Sequence, residues 1–217
     1  MSKKKKILIL GAAGQISRMV TGLLLRQTDT SIVLFARKAH TRLKVTDDKR
    51  ENLIDGDFKD DKKLEEAMKD IDVVYINAMG DKEAMSAIAS AMKSAGIKRV
   101  IGATILGIYD EVPGAFGNWN KRMVGLGRIR QVAEATKVFE DPAFDYTLLR
   151  LTWLYNQEGN TDYMLTKKGE PFVGAQVTRQ AVARLIVDMI SSEDPRFIKQ
   201  SFGVSEPNTN WDKPSFY

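Results

Sequence analysis

Ile7-Leu8-Ile9-Leu10-Gly11-Ala12-Ala13-Gly14-Gln15-Ile16-Ser17 is the most informative stretch of this chain. Its first four residues are apolar without interruption, as a strand covered on both faces would be. Beyond the glycines, Ile16, Val20, Leu23 and Leu24 share one face of a helix. The glycines themselves fall at strand end and helix start with G-x-x-G spacing. The first permits a tight turn that a side chain would obstruct. The second lets backbone approach a pyrophosphate at the helix N-terminus, where free N–H groups and the helix dipole favour anions. Ser17 stands where a third glycine or alanine often sits, which predicts slightly looser packing of helix against strand.

Outward from this stretch, short β-rich runs alternate with helical patterns. Residues 31–36, 52–55, 72–77, 98–104 and 144–151 read as strands, and 202–204 as a candidate last one. Residues 62–69 read as a helix with Leu64, Ala67 and Met68 inward. Asp81 can cap a helix that buries Ala84, Met85, Ile88 and Met92, and Gly96 sits where that helix should stop. Residues 118–140 read as one longer helix packed through Leu126, Ile129, Val132 and Phe139. Thr178 can cap a last helix with Val182, Leu185, Ile186, Met189 and Ile190 on one side. The alternation predicts an α/β, doubly wound parallel sheet covered on both faces, in strand order 3-2-1-4-5-6 with room for a seventh. Residues 1–217 then form a single domain. Residues 152–176, following the sixth strand, read as a substrate lid. Its Trp153, Tyr155, Tyr163 and Phe172 either stack on a planar substrate or anchor the segment in the core.

Composition narrows the function. The chain has 217 residues, 43% hydrophobic and 28% charged, which suits one globular domain and argues against disorder. The formal charge of +5 falls to +1 without Lys3, Lys4, Lys5 and Lys6. A solubilising basic tip, not a basic face, argues against nucleic acid or a membrane surface as partner. The absence of Cys excludes disulfides, thiol nucleophiles and thiolate zinc sites. His40 is the only histidine, which removes multi-histidine metal sites, and no metal is expected. No apolar run approaches the roughly 18 residues that span a bilayer. The lysines and the apolar run after them resemble a weak signal peptide, but those residues begin the strand–glycine motif, so a cytoplasmic protein is expected.

The end of the second strand points to the cofactor. NAD sites commonly place Asp or Glu about 20 residues beyond the glycine motif, for the ribose hydroxyls. Here the region reads Phe35-Ala36-Arg37-Lys38-Ala39-His40, without an acid. Arg37 as a planar fork and Lys38 as a point charge suit a 2′-phosphate. NADP(H) is therefore expected over NAD(H), with His40 a surface neighbour.

With these residues the chain resembles the short-chain dehydrogenase/reductase superfamily, specifically its atypical NmrA-like, NAD(P)-binding branch. The resemblance spans residues 7–205. It rests on Leu10-Gly11-Ala12-Ala13-Gly14-Gln15-Ile16, on Arg37, and on Gly56-Asp57-Phe58 after the third strand. It continues through Asn77-Ala78-Met79-Gly80, Ala103-Thr104 and Tyr146-Thr147-Leu148-Leu149-Arg150. It implies a Rossmann domain with a small C-terminal lid and cofactor contacts from Gly11, Ala13, Gly14, Gln15 and Ile16. By the same resemblance Asp57 and Phe58 flank the adenine, with the carboxylate accepting from its amino group. Asn77 and Ala78 line the ribose–pyrophosphate path, and Thr104 stands near the nicotinamide.

The family pattern fails at one point. Better-known members use Tyr-x-x-x-Lys on the helix after the fifth strand, with tyrosine as acid or base. Here that region reads Gly117-Asn118-Trp119-Asn120-Lys121-Arg122-Met123, without a tyrosine. Tyr109 is nearby and is the candidate proton source, but Pro113 occupies its lysine position. Tyr163 and Lys167 match the spacing after the sixth strand, where the match reads as chance. The expectation is an NADP(H)-dependent oxidoreductase that passes hydride to a small planar acceptor such as a flavin or quinone. Thr104 and Tyr109 are its catalytic candidates. The alternatives are a non-catalytic NADP(H)-sensing regulatory protein and a sugar-nucleotide epimerase or dehydratase. A homodimer and a regulatory protein partner both stay open.

Overall fold

Strand β1 (Lys6–Leu10) runs through the middle of the sheet, and Ile7, Leu8, Ile9 and Leu10 are all fully buried. Each such side chain contributes roughly 1.5–3 kcal/mol by leaving water. The computed structural model describes residues 4–192 and 194–217; Lys3 of the basic tip lies outside them. After β1 come α1 (Gln15–Gln27), β2 (Ser31–Ala36), a single turn α2 (Ala39–Arg42) and β3 (Glu51–Asp55). Then follow α3 (Asp61–Ala67), β4 (Val73–Ile76), α4 (Lys82–Ser94) and β5 (Arg99–Ile105). The remainder is α5 (Gly114–Val124), α6 (Leu126–Lys137), β6 (Asp145–Leu151), β7 (Trp153–Tyr155), β8 (Met164–Lys167), β9 (Gln176–Thr178), α7 (Arg179–Ser191) and β10 (Gln200–Ser205).

The main sheet has the order β3-β2-β1-β4-β5-β6-β10-β8. Its pairings are parallel, except that β8 runs antiparallel to β10 at the edge. This is a Rossmann-type α/β sheet in the expected strand order, with β10 as the seventh strand. Helices α1 and α7 cover one face through Ile16, Val20, Leu24, Leu185 and Ile186. The other face is covered by α3, α4 and α6, through residues such as Leu64, Ile88 and Ala135. Asp81 and Thr178 cap α4 and α7 as expected: Asp81 accepts from the amides of Glu83 and Ala84, Thr178 from that of Ala181. Each cap is worth about 1 kcal/mol.

Two sequence expectations need correction. The helix expected over residues 118–140 is two helices and a short 3-10 turn. Gly125 has φ of +84° and serves as C-cap of α5 and N-cap of α6. The apolar stripe runs across this break, so periodicity alone could not reveal it. The 152–176 segment, expected as a substrate lid, borders a cleft through Thr152 and Leu154. It contributes β8 to the main sheet, and β7 pairs with β9 in a small parallel ladder. Its aromatics anchor it: Trp153 packs against Trp119 and Tyr217, Tyr155 against Phe216, and Phe172 is buried. Ser17 is also fully buried, so α1 packs closely on the sheet despite the serine, at the cost of leaving its hydroxyl without a hydrogen bond among the described residues.

Candidate functional site

Two clefts meet beyond the C-terminal ends of β1, β4 and β5, and Asn77 lines both. The larger, about 490 Å³, lies over Gly11, Ala13, Gly14, Arg37, Asp57 and Phe58. The other, about 360 Å³, lies over Gln15, Ile16, Ala78 and Thr104. Every cofactor residue expected from the sequence lines one of the two, except Lys38.

The glycine turn joins them. Gly11 has φ of +82°, and its amide and that of Ala12 both donate to the Phe35 carbonyl, at 3.0 and 3.1 Å. The Gly14 amide closes the turn on the Gly11 carbonyl at 3.0 Å. Helix α1 then starts with no side-chain cap and no acid in its first turn, leaving its N–H groups for an anion. A Cβ on Gly14 would overlap the Asn77 amide. The Asn77 Oδ1 accepts from the hydroxyl of buried Tyr75 at 3.1 Å, so its amino end faces the turn. Gly14, the open helix end and the oriented Asn77 form a cradle that fits a dinucleotide pyrophosphate.

In the larger cleft, Phe58 stacks on Phe35 with centroids 5.9 Å apart, a flat apolar wall suited to adenine. Arg37 Nε lies 3.8 Å from Asp57 Oδ2, with both side chains half-exposed or more, so this pair is weak and Arg37 is available to a ligand. Lys38 is held away: it adopts φ of 54°, its amide donates to Asp55 Oδ1 at 2.8 Å, and its side chain is exposed. Arg42 lines the cleft in its place and donates to the Arg37 carbonyl at 3.2 Å. The one-turn helix α2 brings Arg42 back beside Arg37. That turn has no apolar periodicity and escaped the sequence reading.

In the smaller cleft, Thr104 is nearly buried and its hydroxyl shares a 2.9 Å hydrogen bond with Thr136. Arg128 and Arg179 also line this cleft, and both were missed. Tyr109 lies elsewhere. Its hydroxyl donates to Glu140 Oε1 at 2.5 Å, and Lys168 sits 4.2 Å from its ring centre. Burial, then the Glu140 carboxylate, holds the phenol well above its ordinary range. Tyr109 borders neither cleft, so the proton-source expectation has no geometric support. Tyr163 packs against the α1/α7 core and Lys167 is exposed on β8, and neither lines the clefts. Tyr163→Phe should therefore leave turnover within a few-fold of wild type. A loss of about 10²–10⁴-fold in steady-state rate, with normal folding, would make it an acid–base residue.

The NAD(P)H-binding family pattern matches residues 11–193. A short-chain dehydrogenase/reductase from Veillonella parvula DSM 2008, solved in complex with NADP, is 40% identical. The alignment covers 98% of this chain and 99% of that one, with a TM-score of 0.94. A Rossmann-fold NAD(P)-binding family protein from Shigella flexneri is 32% identical over 98% of this chain and 99% of its own, with a TM-score of 0.80. An anaerobillin reductase from Escherichia coli O157:H7, 22% identical over 97% and 100% of the two chains, shares the fold at a TM-score of 0.78. No curated protein matches the chain.

Proposed function

The chain belongs to the NAD(P)H-binding short-chain dehydrogenase/reductase family, and from that premise we propose that it is an NADP(H)-dependent reductase acting on a small planar acceptor. Arg37 and Arg42 at the rim of the larger cleft support the cofactor choice, since two guanidinium forks suit a 2′-phosphate. The bound reduced cofactor would supply a hydride, two electrons at once, leaving one proton to come from elsewhere.

The observation that carries the acceptor class is the make-up of the smaller cleft. Among the described residues its lining holds no Tyr, Ser, His, Lys, Asp or Glu. No side chain there exchanges a proton near neutral pH. A simple ketone would become a localised alkoxide with nothing to protonate it. A flavin or quinone spreads the added charge over its ring and takes its proton from water. The protein's part is then to bind, orient and partly enclose. Ile16, Val132, Leu151 and Leu154 form apolar walls, while Asn77 and Thr104 are fixed by Tyr75 and Thr136.

Calorimetric titration with NADPH and NADH tests the cofactor assignment, and an acceptor screen with the loaded protein tests the reaction. Wild type should bind NADPH at least about tenfold more tightly than NADH. Arg37→Ala should remove about ten- to hundredfold of NADPH affinity, the worth of one charge-assisted contact of roughly 1.5–3 kcal/mol. Equal wild-type affinities would overturn the assignment. The missing acid–base residues also suit a nucleotide sensor, which would bind NADPH tightly and leave it unoxidised whatever the acceptor offered.

A further inference from the structure

Arg128 and Arg179 enter the smaller cleft from opposite helical layers, one on α6 and the other at the first position of α7. Among the described residues their hydrogen bonds go to neutral acceptors only. Arg128 Nη1 donates to the Gly80 carbonyl at 3.1 Å and to Gln131 Oε1 at 3.0 Å. Arg179 Nη1 donates to Asn156 Oδ1 at 3.2 Å. Among the described residues neither is paired with a carboxylate, and no acid lines this cleft. Each guanidinium carries five N–H donors, so most stay unused. The larger cleft contrasts with this: Asp57 faces Arg37, and Asp81 also lines it.

Arg128 is exposed and Arg179 partly buried, so water solvates both, but two guanidinium groups with free donors and no acid beside them give this end of the site a positive potential that an anionic ligand would meet. The pyrophosphate already has the glycine turn, the open end of α1 and the Asn77 amide. We propose that Arg128 and Arg179 select an acceptor bearing an anionic group, a carboxylate or a phosphate on a planar ring system. This inference rests on the reductase reading above and adds the acceptor's charge to it. Arg179 is partly buried, and that burial lowers its pKa from the ordinary arginine value. In such a setting a bidentate contact with a carboxylate or phosphate is stronger than at an open surface.

Three flavins sharing one ring test this. Lumiflavin is neutral, a 10-carboxymethyl flavin carries a carboxylate and flavin mononucleotide carries a phosphate. Binding to the NADP-loaded protein is read by flavin fluorescence, turnover with NADPH by kcat/KM, and cofactor affinity by calorimetry. Wild type should favour at least one anionic flavin over lumiflavin by about tenfold or more, and whichever anion gains identifies the group. Arg128→Met and Arg179→Met should each remove about tenfold for that flavin, with lumiflavin and NADPH affinity changed less than about threefold. Equal wild-type binding of all three flavins would overturn the proposal while leaving the reductase reading intact if lumiflavin turns over. Variants that weaken NADPH and lumiflavin alike would also overturn it, since the arginines would then serve the cofactor. Anion-selective binding without turnover would uphold the arginine assignment and sink the reductase reading.

Discussion

Gly14→Val should lower NADPH affinity at least ~100-fold, about 2.7 kcal/mol, while the protein stays folded. Gly14 has φ of −69° and ψ of 156°, a conformation valine adopts readily, so the backbone itself is not strained. The conflict is with Asn77, whose amide occupies the space a Cβ would take. Asn77 must leave its bond to Tyr75 and swing into the cleft, closing the cradle between turn and helix end. The sequence alone suggests that a side chain here would strike the ligand first; the structure shows that it strikes Asn77 first. Losing the Tyr75–Asn77 bond costs about 1 kcal/mol, or roughly 2–4 °C of melting temperature in a chain of this size. Calorimetry with NADPH and a thermal melt read the two effects separately. An unfolded variant, or one that binds NADPH normally, would reduce the glycines to a packing turn.

The second large effect concerns stability. Arg150, on β6, is fully buried and donates to Glu111 Oε1 at 2.8 Å and to the Thr166 carbonyl at 2.9 Å. Glu111 is buried too, and also accepts from the amides of Gly107 and Tyr109 at 3.0 and 2.9 Å. One carboxylate thus neutralises a buried guanidinium and ties down the loop after β5. Glu111→Ala leaves that cation and both amides without their acceptor. Breaking a buried pair from one side costs about 3–5 kcal/mol, or roughly 6–20 °C of melting temperature. The double variant Glu111→Met with Arg150→Met should melt above Glu111→Ala, because no charge is left stranded. A single variant melting within a degree of wild type would show that water or another group reaches Arg150.

These two predictions mark what the sequence could and could not disclose. The glycine turn was legible because its function is local: strand, turn and helix start are contiguous, and each residue's role follows from backbone geometry. Asp81 and Thr178 were legible for the same reason, and the order of the first six strands was legible from the alternation of strands and helices along the chain. Arg42, Arg128 and Arg179 were not, since each reaches the clefts from an element whose place depends on the whole topology. Arg179 follows the Thr178 cap directly, but its place at the site depends on β9 pairing with β7, a short ladder that no local pattern marks. Glu111 and Arg150 lie 39 positions apart and meet only once the β5 loop folds over β6. Strand β8 spans only Met164–Lys167 and pairs antiparallel to β10 far along the chain, so no neighbouring pattern marks it. Gly125 illustrates the opposite failure: a continuous apolar stripe concealed a break that a single positive φ imposes.

Whether bound nucleotide is consumed in the smaller cleft is tested most directly by anaerobic single-turnover oxidation of protein-bound NADPH, deuterated at one or the other face of nicotinamide C4. With a planar acceptor such as flavin mononucleotide, hydride transfer within the cleft should slow the reaction for the label on one face and leave the other at the unlabelled rate. NADPH that binds tightly yet is oxidised by no acceptor would contradict a reductase and leave a protein that only holds the nucleotide.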